Sequence, residues 1–146
     1  MISKWLTGLL TVILAGWLTY LAILTQQPDP EFVSRSQFMV ADLWVVAQID
    51  ADRQGNPLPK IILQSTHAIT PSPLPQPGEG VIVLNLADTI GFTQPGMYAL
   101  ILNRDAETYR IPTPPEMNSL EKPRIYPWTP EIEQQFQQLQ AATPKP

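Results

Sequence analysis

The sequence predicts a mainly β protein: a small five-stranded antiparallel barrel, with one N-terminal transmembrane helix and a short C-terminal amphipathic helix. Three observations predict it. Residues 5–25 are apolar and carry no charge. Residues 37–112 hold short runs of alternating or wholly apolar residues, separated by Gly, Pro, Asn and Asp, which is the signature of antiparallel strands and turns. After Thr129 and Pro130, the apolar residues Ile132, Phe136 and Leu139 recur at helical spacing. The expected organisation is an anchor over 1–27, a linker over 28–36 and the β-barrel domain over 37–112. A proline-rich strap over 113–128 and a helix with tail over 129–146 complete it.

The first element is "WLTGLLTVILAGWLTYLAILT". As a helix, 21 residues rise about 31 Å, enough to cross the hydrocarbon of a bilayer. A secretory signal has a shorter apolar region and a small-x-small cleavage site. Here a cut after Gly16 would place Leu14 at the third position back, and a cut after Ala22 would place Tyr20 there. Both are too bulky, so a retained anchor is expected. Lys4 and the terminal amine precede the run, whereas Asp29, Glu31 and the single Arg35 follow it. The positive-inside rule then leaves the N-terminus in the cytoplasm and the domain on the periplasmic or lumenal side. Thr7, Thr11, Ala15 and Thr19 recur every fourth residue, with Gly8 and Gly16 beside them. That spacing lays small side chains along one helix face and suits close approach of another membrane helix.

"QQPDPEF" ends the helix, because proline cannot continue it. In "FMVADLWVVAQID" the odd positions Met39 to Ile49 are all apolar, which predicts a long half-buried first strand. Gly55-Asn56-Pro57 turns the chain into "KIILQSTH". A proline-rich crossover leads to "VIVLNL", apolar on both faces and therefore expected centrally. The loop "ADTIGFTQPG" carries Phe92. "MYALILN" is again apolar on both faces, and "RDAE" makes a hairpin into "TYRI". Five strands with a long first one favour an OB-like barrel, with an SH3-like barrel or a sandwich as the alternative.

The segment "PTPPEMNSLEKPRIYPWTP" is expected to strap the barrel without a regular ladder, since proline donates no N–H. In the final helix Thr129 caps, Pro130 suits the first turn, and Glu131 and Glu133 complement the dipole. At 13 residues it is marginal alone and must dock, by preference on its own barrel.

Composition narrows function. A net charge of -4 disfavours a polyphosphate partner, so no nucleic acid is expected. Zero cysteines remove disulfides and thiolate metal sites. No catalytic residue, metal ligand or cofactor site is assigned. His67, the single histidine, is expected at a strand end facing solvent. A hydrolase built on it is a remote alternative. Asp50, Asp52 and Asn56 lack the glycine and closing glutamate of a calcium loop. Aromatic residues held in rigid loops offer better prospects as protein contacts: Phe92, Tyr126 and Trp128. Trp44 has the polar-side parity of its strand and is expected to tuck beneath the C-terminal helix.

The matching residues Pro77, Gly78, Val83, Pro95, Gly96, Tyr98, Leu100, Leu102, Tyr109 and Arg110 resemble a pattern in OB-like β domains of bacterial envelope proteins. The resemblance implies a fold and no activity. The expected function is therefore that of a non-enzymatic, single-pass accessory or interaction subunit of a membrane complex. Its partners would be the lipid bilayer and one or more proteins, met through the helix or the β domain. A membrane-tethered module that recognises a peptide or soluble protein is the alternative.

Overall fold

The computed structural model describes residues 2–26, 31–113 and 122–143. Parts of the expected linker, strap and tail lie outside the described residues. The chain divides into two units after residue 30, and each is described by itself.

The first unit is helix α1, Ile2–Gln26. Its stretch Lys4–Thr25 is long and apolar enough to cross a membrane. The side chains along that stretch are exposed.

The second unit is built on one antiparallel sheet. In chain order it holds α2 (Arg35–Met39), β1 (Leu43–Ile49), β2 (Lys60–Ala68), β3 (Gly80–Ile82) and a 3-10 turn at Leu86–Asp88. These are followed by β4 (Gly96–Asp105), β5 (Thr108–Arg110), β6 (Tyr126–Pro127) and α3 (Pro130–Ala142). The strand order is β3-β2-β1-β4-β5, with β6 also pairing β4. The expected closed barrel is corrected to an open six-stranded sheet. Its outer strands meet at a single parallel bridge, Val83 with Tyr109, and the Leu84 N–H donates to the Tyr109 carbonyl at 2.9 Å.

β1 and β4 are central, which explains their apolar residues on both faces. On one face Leu43, Val45, Ala47 and Ile49 join Leu100, Leu102, Ile61, Leu63 and Val81 in the larger core. On the other, Trp44, Val46, Ala99 and Ile101 pack with Phe38, Tyr126, Ile132 and Phe136. The C-terminal helix thus docks on its own sheet, and Trp44 is buried against it.

Three elements differ from expectation. The first strand starts at Leu43, because Ser34 caps a short helix: its Oγ accepts the Gln37 N–H at 3.3 Å. Met39 continues the strand's apolar parity yet stands exposed on that helix. β3 is an outer strand of three residues, not a central one. Beyond it, Asn85 stands in for a ladder: its amide donates to the Ile111 carbonyl at 2.9 Å and accepts the Ile111 N–H at 2.8 Å. Within the strap, Tyr126 and Pro127 do pair with Tyr98 and Ala99. Proline at that edge position is tolerated because its missing N–H costs the ladder little.

Candidate functional site

On α1, Gly8 and Gly16 leave open space where a side chain would stand. The Thr11 hydroxyl donates to the Thr7 carbonyl and that of Thr19 to the Ala15 carbonyl, both at 2.8 Å. The polar atoms of Thr11 and Thr19 are thereby satisfied inside their own helix, and their methyl groups remain for contact. Thr7, Thr11, Ala15 and Thr19 are exposed in this chain.

The second feature is an aromatic stack on the helix-covered face of the sheet. His67 lies on Trp44 with ring centroids 3.9 Å apart and planes 11° from parallel. Phe136 of α3 stacks on Trp44 at 4.7 Å, and Trp128 leans on it at 6.4 Å. The position of His67 follows from a bulge. Between Val46↔Ser65 and Ala47↔Leu63 the register slips, leaving Gln64 as the extra residue. Inward parity set by Ile61 and Leu63 would carry His67 to the large core. The slip reverses parity and sets His67 opposite Trp44. The expected solvent-facing histidine is therefore corrected to one that spends a ring face on an indole. Burial pushes its pKa below the ordinary value, and the Glu133 carboxylate partly opposes that.

The third feature is the join between the segment at 31–34 and α3. Gln135 accepts the Val33 N–H at 2.8 Å and donates to the Glu31 carbonyl at 2.9 Å, so one amide clamps the backbone on both sides. The Ser34 N–H donates to the Tyr126 hydroxyl at 2.9 Å. Gln37, buried and polar, donates to the Arg124 carbonyl at 3.2 Å. Burial pushes the Tyr126 pKa up, although the Ser34 N–H and Arg124 oppose it. Tyr126, expected as a contact residue, is fully buried and offers no surface. Its hydroxyl is needed inside, and its ring packs edge-on against Phe136 at 5.9 Å.

Trp128 is half-buried on the helix-side core. Phe92 is likewise half-buried: it packs on the larger core, 5.4 Å from the Tyr98 ring. Phe92 and Trp128 thus belong to different apolar clusters of the second unit.

Beside the Gln135 clamp, a groove of about 470 Å³ opens between the segment at 32–35, α2 and α3. Phe32, Phe38, Met39, Leu139 and Ala142 supply its apolar lining, and Arg35, Gln138 and Thr143 its polar rim. Sequence reasoning missed it. The only signal was Phe32 and Met39 flanking a short Ser-rich stretch, which reads as linker. A further apolar patch lies on the solvent face of β2 and β3, where Ile62, Ile82 and Leu84 are exposed.

As for cation chemistry, among the described residues no group of three His, Asp or Glu side chains is placed to hold a metal. Asp52 caps its turn instead. Its Oδ1 accepts the Gln54 N–H at 2.8 Å and the Asn56 N–H at 3.0 Å. These bonds, led by that from Asn56, lower its pKa.

Comparison with protein-family models, with curated proteins and with solved structures returns no match to this chain.

Proposed function

We propose that this chain is a non-enzymatic, single-pass membrane protein, an accessory subunit whose β domain faces one aqueous compartment. The observation that carries the reading is α1: an apolar helix of 25 residues whose side chains over Lys4–Thr25 are exposed. Apolar surface on that scale needs lipid or other helices around it. The stripe of Thr7, Thr11, Ala15 and Thr19 favours a neighbouring transmembrane helix as part of that cover. Partners would meet the chain there and, on the domain, near Phe92 and Trp128. The Lys4 asymmetry favours a cytoplasmic N-terminus. The strand order, with β1 between β2 and β4 and a parallel link from β3 to β5, supports an OB-like arrangement.

The test is direct. The full chain is expressed in cells, membranes are washed with alkaline carbonate, and the intact mass is measured. An anchored subunit stays in the pellet and keeps residues 1–26. Release of a shorter chain into the supernatant identifies a cleaved signal instead and removes this reading. Gentle solubilisation then separates the roles. An accessory subunit migrates with a larger assembly, and Ala15→Leu disperses it.

A second reading, a tethered binding module, is favoured by the exposed Ile62, Ile82 and Leu84. A module would run as a lone protein in detergent and lose a soluble partner on Ile82→Asp.

A further inference from the structure

The groove beside α2 has an unusual lip. Phe32 is 72% exposed and Met39 56%, although the same short stretch buries Val33 and Phe38 completely or nearly so. Val40 adds a third exposed apolar side chain. Large apolar side chains left out of both cores next to one another mark a surface made for an apolar neighbour.

Charge and tether say which neighbour. The protein carries 13 acidic residues, yet among the described residues no carboxylate lines this groove, and the charged side chain in its lining is Arg35. The rim is otherwise amide and hydroxyl, from Gln138 and Thr143. An apolar floor, a polar rim and a cation match the boundary between lipid headgroups and acyl chains, where amphipathic surfaces gain burial and cations gain phosphate. Covalent reach supplies the rest. Phe32 is joined to Gln26, the last residue of α1, by chain that extends to about 21 Å at most. The Gln135 clamp fixes the segment at 31–33 to α3, so the groove travels with that tether. Resting on the anchor reading above, we infer that this groove seats on the surface of the bilayer that α1 spans, with Phe32, Met39 and Val40 at the acyl boundary and Arg35 among lipid phosphates.

The chain holds no cysteine, so one introduced thiol reports one place. The full chain bearing Met39→Cys or Phe32→Cys is labelled with an environment-sensitive fluorophore. It is reconstituted in vesicles of phosphatidylcholine and phosphatidylglycerol. Val12→Cys on α1 and Gln54→Cys in the β1–β2 turn are the lipid and water references. Labels at 39 and 32 are expected to emit to the blue of the label at 54 and to be quenched by spin-labelled lipid. Arg35→Gln is expected to reduce that quenching in anionic vesicles. If 39 and 32 match 54 while 12 is quenched, the surface contact is overturned and the anchor stands. If 12 is unquenched too, the anchor reading falls and takes this inference with it. A blue shift at 39 that ignores lipid quencher and fades as protein is diluted per vesicle assigns the groove to a second copy, which also overturns the proposal.

Discussion

The indole N–H of Trp44 donates to Gln140 Oε1 at 2.9 Å, while the Gln140 Nε2 donates to the Ala68 carbonyl at 3.0 Å. One amide on α3 therefore holds two strands, one through a side chain and one through the backbone. Gln140→Ala would leave a part-buried donor and a part-buried acceptor unpaired, at a cost of about 1–3 kcal/mol. Gln138→Ala, on the exposed rim, should stay within about 0.5 kcal/mol. Urea unfolding of the full chain in detergent, followed by tryptophan emission, reads both. Equal midpoints for the two variants would mean that the amide bridge adds nothing.

Gly91 and Gly55 separate two reasons for needing glycine. Both have positive φ, +110° and +85°. A Cβ on Gly91 would lie 2.2 Å from the Ile125 carbonyl oxygen, whereas one on Gly55 meets nothing within 4 Å. Gly55→Ala then costs backbone strain alone, roughly 1–2 kcal/mol. Gly91→Ala must also push apart the pairing in which the Ile125 N–H donates to the Ile90 carbonyl at 2.9 Å. It should cost roughly 3 kcal/mol or more. Thermal unfolding of the two variants tests the order, and a larger loss at Gly55 would refute it.

These positions show where the chain is legible. β1, β4 and α3 announce themselves, because apolar period is the direct imprint of burial and each carries it cleanly. Trp44 could be placed beneath α3 from parity plus the stripe of Ile132 and Phe136. What stayed hidden depends on side chains that imitate backbone. Asn85 replaces a ladder, Ser34 starts a helix inside an apolar alternation, and Gln135 pairs with an extended segment. Polar residues at such places look like any loop. The bulge at Gln64 was equally silent, since a slip of one residue changes no composition. It alone decides which face His67 joins, and so the aromatic stack could not be foreseen. Barrel closure failed for a related reason: β3 ends at Ile82, and beyond it Val83 forms an isolated bridge to Tyr109 of β5.

His67 makes folding sensitive to pH in a stated direction. Its ordinary value is near 6.5, and in the fold burial holds it lower. The unfolded chain therefore binds a proton more readily than the native one in the window just below 6.5. Stability should be full above that value and decline as pH falls towards the depressed native pKa, then level off. The negative charge of Glu133 on α3 opposes the effect of burial and limits the decline. His67→Phe keeps an aromatic ring on Trp44 and removes the proton. Unfolding midpoints at pH 7.5 and 5.5 should differ more in the parent than in that variant. An identical difference in both would place the sensitivity elsewhere.

The Gln135 clamp predicts a local opening distinct from global unfolding. Gln135→Ala removes the acceptor of the Val33 N–H and the donor to the Glu31 carbonyl, and about 1 kcal/mol of local stability goes with them. Tyr126 still holds the Ser34 N–H, and the Arg124–Glu31 ion pair at 3.7 Å is half-exposed and weak. Hydrogen exchange at Val33 should then speed up roughly fivefold, the factor that 1 kcal/mol implies. Leu100 in central β4, which opens only with the whole sheet, should keep its ratio to the global stability. Gln137→Ala is the control, since that exposed side chain donates to Glu133 along its own helix, at 3.3 Å. If Val33 exchanges alike in all three proteins, the segment is held by the burial of Val33 in the helix-side apolar cluster, and the clamp is incidental.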